Sequence, residues 1–142
     1  MPAGIDKQDT RLLAPGVRRP LVLWVDESAG DCDCFSRLLR DNGYDVWISS
    51  NYDDGVRCLG GRPFDCVVVD QGSPAFEGRL ILEYSVALDR RLPVIVITRF
   101  HDMGCYLEAM QLGAVDYLEK PQAAAEIIRV LKTHLPSRYL AA

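Results

Sequence analysis

The chain has 142 residues, 49% of them hydrophobic and 25% charged, with a formal net charge of −4. That length suits one domain, the apolar content is too high for a mostly disordered chain, and the acidic balance gives no general pull toward nucleic acid or anionic membrane. No apolar run approaches the ~20 residues that span a bilayer. Asp6, Lys7, Gln8 and Asp9 stand where a signal peptide needs apolar residues, so a soluble, cytoplasmic protein is expected.

Residues 1–20 carry Pro2, Pro15 and Pro20 without sustained periodicity and read as a flexible leader. From residue 21 the pattern changes. Leu21–Val25 is a continuous apolar run, as expected of a strand buried on both faces, and it ends in Asp26 and Glu27. Cys32, Phe35, Leu38 and Leu39 then recur at spacings of three and four, the apolar face of a helix that Gly43 closes. Tyr44–Ser49 reads as a second strand, and Tyr52–Leu59 as a short helix closed by Gly60 and Gly61.

The alternation continues. Cys66–Val69 is a third strand ending in Asp70, and residues 77–89 form a helix. Val94–Ile97 is a fourth strand ending in Thr98, followed by a helix at 103–112 and Gly113. Val115–Leu118 is the fifth strand, ending near Lys120, and Pro121 starts a last helix with Ile127, Ile128, Leu131 and Leu135 on one face. Strands alternating with helices at this spacing imply right-handed crossovers and a parallel sheet covered on both faces. Residues 21–135 are therefore expected to form the domain, and 136–142 a short tail with no room for a DNA-binding or catalytic module.

The five cysteines, Cys32, Cys34, Cys58, Cys66 and Cys105, include only one Cys-x-Cys and no nearby His, so reduced thiols are expected rather than a metal or disulfide site.

In an open parallel sheet, ligands bind at the carboxyl ends of the strands. Here those ends carry Asp26 and Glu27, Asp70 and Thr98, with Lys120 after strand five. Three converging carboxylates repel unless a cation neutralises them, and a hard divalent ion such as Mg²⁺ takes such oxygen ligands. A phosphoryl group on Asp70 would then have its oxygens neutralised by Mg²⁺, Lys120 and the Thr98 hydroxyl. Rival ligands fit less well. The turn after strand one reads Asp-Glu-Ser-Ala-Gly-Asp, which lacks a Gly-x-Gly-x-x-Gly and would repel a flavin phosphate. A phosphatase with an aspartyl nucleophile usually has a second Asp two residues on, where this chain has Gly72.

Over about residues 20–135 these residues resemble the receiver domain of bacterial two-component response regulators, the CheY-like family. Asp26 and Glu27 match its acidic pair and Asp70 its phosphoacceptor. Gly72-Ser73-Pro74 with Glu77-Gly78 resembles its active-site loop, and Gly113-Ala114-Val115-Asp116-Tyr117-Leu118-Glu119-Lys120-Pro121 its most recognisable stretch. The resemblance implies an α/β fold, a doubly wound (βα)5 flavodoxin-like three-layer sandwich whose five-stranded parallel sheet has the order 2-1-3-4-5. It implies a phosphoacceptor signalling domain that is not an enzyme beyond its own phosphorylation and dephosphorylation. Mg²⁺ would be held by Glu27, Asp70 and the carbonyl of Gly72, with Asp26 reaching it through water. Lys120 would pair with the phosphoryl group across a cis Lys120-Pro121 bond, and Thr98 with Tyr117 would form the switch pair.

The partners so implied are a sensor histidine kinase or phosphotransfer protein and a downstream effector or output domain. A homodimer through the face of helix four, strand five and helix five is also implied, without direct nucleic-acid or membrane contact. Four positions depart from the family pattern: Glu27 stands for the commoner Asp, Arg99 for a small residue, Ser73 for Met, and Gln71 sits beside the phosphoacceptor, where it is expected to influence attacking water. Arg99 is expected to screen the site, slow hydrolysis or pair with the phosphoryl group. The alternative reading is a pseudo-receiver, a phosphorylation-independent interaction module in which Glu27 and Arg99 mark a decayed site.

Overall fold

The structure, a computed structural model, describes residues 12–14 and 17–135. Five strands, β1 (Leu21–Val25), β2 (Asp45–Ser49), β3 (Cys66–Asp70), β4 (Val94–Thr98) and β5 (Asp116–Glu119), form one parallel sheet in the order 2-1-3-4-5. Five helices connect and follow them: α1 (Ala29–Asp41), α2 (Tyr52–Gly61), α3 (Arg79–Leu88), α4 (Met103–Leu112) and α5 (Lys120–His134). This is the expected doubly wound three-layer sandwich.

The apolar runs explain the layers. Successive strand side chains point to opposite faces, so Val22 and Trp24 enter one core with Phe35, Leu39, Ile127 and Leu131. Leu23 and Val25 enter the other, with Ile81, Leu82, Val96 and Ala109. Both faces being covered, β1 and β4 are buried at every residue. Trp24 is fully buried and stacks on Phe35 at 4.9 Å between ring centroids.

Helix ends follow local chemistry. Ser28, Asn51 and Asp102 cap the starts of α1, α2 and α4 through side chains that accept backbone N–H bonds. Gly43 and Gly113, at φ +97° and +110°, take the left-handed turns that end α1 and α4. Gly60 and Gly61, expected to close α2, lie inside its last turn. α3 starts at Arg79 rather than 77, because Glu77 is engaged in the preceding turn.

Two expectations need correction. The Lys120-Pro121 bond is trans, the described residues holding no cis peptide; Lys120 and Pro121 occupy the first turn of α5, where a trans proline meets the helical φ and its missing N–H costs nothing. The described part of the expected leader is regular in places: Leu12–Ala14 and Val17–Arg18 pair antiparallel. Arg18 forks onto Asp65 at 3.1 and 3.2 Å, and Arg19 donates to the carbonyls of Arg40 and Tyr44. These partners lie far along the chain, so no local pattern announces them. The expected tail at 136–142 lies outside the described residues.

Candidate functional site

The carboxyl ends of β1, β3, β4 and β5 open into one cleft of about 810 Å³, where the sequence places its polar residues. Asp26 follows β1, Asp70 ends β3, Thr98 ends β4, and Lys120 opens α5 directly after β5.

Lys120 is the hub. Its Nζ lies 2.9 Å from Asp70 Oδ1, 3.1 Å from Asp26 Oδ2 and 2.7 Å from Asp31 Oδ2, with only 7% of the side chain exposed. Burial works against the ammonium charge, and hydrogen bonds to Asp31 and Asp70 overcome it, holding its pKa above the ordinary lysine value. A buried cation with three carboxylate partners is a fully paired one, and removing it would strand the anions.

Asp70 is held as well as charged. Its Oδ2 accepts the Gly72 N–H at 2.9 Å, and its carbonyl accepts the Tyr52 hydroxyl at 3.1 Å. Burial pushes the Asp70 carboxyl above its ordinary value; Lys120 opposes this, and the Asp26 charge adds to it. Gly72 has φ +87°, and a Cβ there would stand 2.4 Å from Glu77 Oε1. Glu77 closes that turn by accepting from the backbone N–H and hydroxyl of Ser73, which hold its carboxyl below the usual value.

Thr98 is buried, and its hydroxyl donates to the carbonyl of Phe100 at 2.8 Å. Tyr117 is turned inward, with its ring edge-on to His101 and Tyr106. Its hydroxyl donates to Gln71 Oε1 and accepts the Asp102 N–H at 3.2 Å. Gln71 is buried, its amide donating to the carbonyl of Ser73. Gln71, the first residue after β3, borders the cleft beside Asp70, and its side chain is engaged by Tyr117 and the Ser73 carbonyl.

Arg99 is half exposed and bonds Asp31 Oδ2 at 2.5 Å, the same oxygen that takes Lys120. Asp31, in the first turn of α1, was missed by sequence reasoning because an acid there is ordinary helix chemistry. Burial tends to raise its carboxyl, and Lys120 with Arg99 more than offsets this, so it lies below the ordinary value.

The oxygen donors suit a hard divalent cation. Asp26, Glu27, Asp70 and the Gly72 turn border the cleft, with Asp26 buried and Glu27 exposed. Among the described residues no three acids close into a ready metal cluster. Mg²⁺ does not require one, since it usually takes one or two carboxylates and keeps several waters. The tightness at Gly72 leaves room for the turn only without a Cβ.

The sequence matches the response regulator receiver domain over residues 22–132. The chain belongs to that family. It is 34% identical over 97 residues to the transcriptional regulatory protein FixJ of Bradyrhizobium diazoefficiens, covering 68% of this chain and 47% of the relative. It is 32% identical over 123 residues to the transcriptional regulatory protein PrrA of Mycobacterium leprae, covering 87% and 53%. The chain thus spans about half the length of these curated relatives. A CheY-like receiver domain from Methanospirillum hungatei superposes with a TM-score of 0.77 at 22% identity, covering 87% of this chain and 99% of that one. Full-length FixJ from B. japonicum superposes at 0.73 with 28% identity, over 84% and 59%. This receiver domain is thus part of the two-component response-regulator family, with the CheY-like fold.

Proposed function

We propose that this receiver accepts a phosphoryl group on Asp70 from the phosphohistidine of a sensor histidine kinase or phosphotransfer protein. One observation carries the reading: Lys120 Nζ bridges the buried Asp26 and the phosphoacceptor candidate Asp70 at the ends of adjacent strands. An Asp70 carboxylate oxygen attacks phosphorus as the phosphorus–nitrogen bond breaks, and the departing imidazole takes its proton from solvent. A carboxylate is a weak nucleophile toward an anion, so positioning and neutralisation do most of the work.

Mg²⁺, held by Asp70, Glu27 and the Gly72 carbonyl and reached by Asp26 through water, would supply charge neutralisation for the phosphoryl oxygens. Carboxylates outnumber the cations here: Asp26, Glu27, Asp70, Glu77 and Asp102 line the cleft and Asp31 reaches into the same charge cluster, against Lys120 and Arg99, an imbalance that a divalent ion offsets. Lys120 neutralises a phosphoryl oxygen. Thr98 breaks its bond to Phe100 to hydrogen-bond another, and Tyr117 reports that movement to the face of α4, β5 and α5. α4 and its approach expose Phe100, Met103, Leu107 and Met110, an apolar stripe suited to an effector, an output domain or a second copy. The domain acts as a switch rather than an enzyme on other substrates. No helix among the described residues is long and apolar enough to cross a membrane; a cytoplasmic location without direct nucleic-acid contact accords with the net charge of −4.

The test is intact-protein mass after incubation with a small phosphoryl donor and Mg²⁺, beside Asp70→Asn. One added phosphoryl group, lost without Mg²⁺ and in the variant, is expected. No added mass, at short times and with a cognate kinase, overturns the reading in favour of a phosphorylation-independent module.

A further inference from the structure

Asp31 lies 89 residues before Lys120 in the chain and 68 before Arg99, yet one of its oxygens takes both cations. Its place in the first turn of α1 suggests simple capping, in which the acid reaches back to the N-cap N–H. That N–H is already taken: Ser28 donates its backbone N–H to Asp26 Oδ1 at 3.0 Å. Asp31 donates its own N–H to Ser28 Oγ, and its carboxylate, which also meets the Ser28 side chain, reaches across to Lys120 and Arg99.

We propose that Asp31 is a built-in stand-in for the phosphoryl group: it occupies Lys120 and Arg99 until a phosphoryl group on Asp70 displaces it. This rests on the reading of Asp70 as the phosphoacceptor. A carboxylate oxygen and a phosphoryl oxygen offer these cations the same chemistry, charge-assisted acceptance of N–H donors. Lys120 already touches Asp70 at 2.9 Å, so an anion grown on Asp70 comes within its reach without moving the backbone. Arg99, on the residue after Thr98 and 56% exposed, has a long side chain free to swing. In exchanging Asp31 for the phosphoryl group, both cations lose one partner as they gain another. Asp31 thus lowers the affinity of the site for phosphoryl, and Arg99 becomes a phosphoryl-binding residue only after release. The two cations differ in weight, since the buried Lys120 contact is screened less than the exposed Arg99 contact.

The probe is beryllofluoride with Mg²⁺, a phosphoryl mimic, with binding read by tryptophan fluorescence and by calorimetry. Asp31→Asn is expected to bind it tighter by on the order of tenfold, the scale of removing one competing charge-assisted pair. Asp31→Ala, which adds no amide, serves as the second variant and is expected to behave alike. Asp31→Glu keeps the charge and is expected to stay within about threefold of the unmodified protein. Arg99→Ala is expected to weaken binding more in the Asp31→Asn background than alone, because there Arg99 has no competing anion to leave. A purely structural acid would change the urea midpoint and leave these affinities equal. Equal or weaker binding by Asp31→Asn and Asp31→Ala, with the unmodified protein binding normally, overturns the role of Asp31 alone. If the unmodified protein neither binds beryllofluoride nor gains phosphoryl mass, the receiver chemistry falls and this role with it.

Discussion

The hydroxyl of Tyr117 donates to the side-chain oxygen of Gln71, the residue next to Asp70. Gln71 passes the connection on through its amide to the carbonyl of Ser73, in the loop over the site. Tyr117 is thereby tied to the loop after Asp70 by one buried side chain.

Gln71→Leu keeps the approximate volume and removes both polar contacts. It is expected to cost about 1–3 kcal/mol, the penalty for stranding buried hydrogen-bonding groups. Tyr117→Phe should cost a similar amount, and the double variant less than the sum, since the two changes share one bond. Urea unfolding of the four proteins measures this; strict additivity would show that the pair is not coupled.

Trp24 Nε1 lies 3.4 Å from Asp26 Oδ2, with its ring sealed against Phe35. A divalent ion drawing on Asp26 would alter the field at the indole. Titration with Mg²⁺ is therefore expected to change the emission of Trp24, saturably and reversed by a chelator. Trp24→Phe should remove the signal while Trp47 remains, and Asp26→Asn should weaken the response. A signal that persists in Trp24→Phe would place the ion elsewhere.

Gly72→Ala puts a methyl group at φ +87°, where it meets Glu77 Oε1 at 2.4 Å. The turn must shift, and a loss of about 1–3 kcal/mol is expected from the strained backbone. The readout that separates local from general damage is the Mg²⁺ response, expected to weaken because the 72 carbonyl moves. Unchanged stability and unchanged Mg²⁺ response would contradict the tightness of this turn.

The thiols should divide by exposure. Cys34 is exposed, while Cys66 and Cys105 are buried. Burial pushes the Cys66 thiol up strongly and that of Cys105 up to about 11. A disulfide reagent at pH 8 is expected to modify Cys34 rapidly, with Cys66 and Cys105 reacting only on unfolding. The sign for stability follows. A thiol raised from its ordinary 9.0 to about 11 favours the folded state below pH 9, and that contribution fades as pH rises from 9 toward 11. Urea midpoints for Cys105→Ala should lose part of this alkaline decline; identical pH profiles would exclude Cys105 as its source.

Much of the site was legible before the fold was known. Asp26, Asp70, Thr98 and Lys120 each follow an apolar run, and parallel strands deliver their carboxyl ends to one edge. The roles of Gln71 and Asp31 were not legible. Gln71 reads as a neighbour of Asp70, and its contact with Tyr117, 46 residues on, has no local signal. Asp31 looked like a helix-start acid, because nothing local records that its side chain meets two cations from distant strand ends.

Local patterning alone was enough to read the layers, the parallel sheet and the polar residues at the carboxyl ends of its strands. Those depend on short-range periodicity and on the burial of apolar faces, which are written in consecutive residues. Which charges neutralise which emerged from the folded arrangement. It joined Asp31 to Lys120 and Arg99, turned Tyr117 inward onto Gln71, and seated Lys120 at the start of a trans-proline helix. Ion pairing is set by distance and burial between segments far apart in the chain, and no spacing along the sequence encodes either.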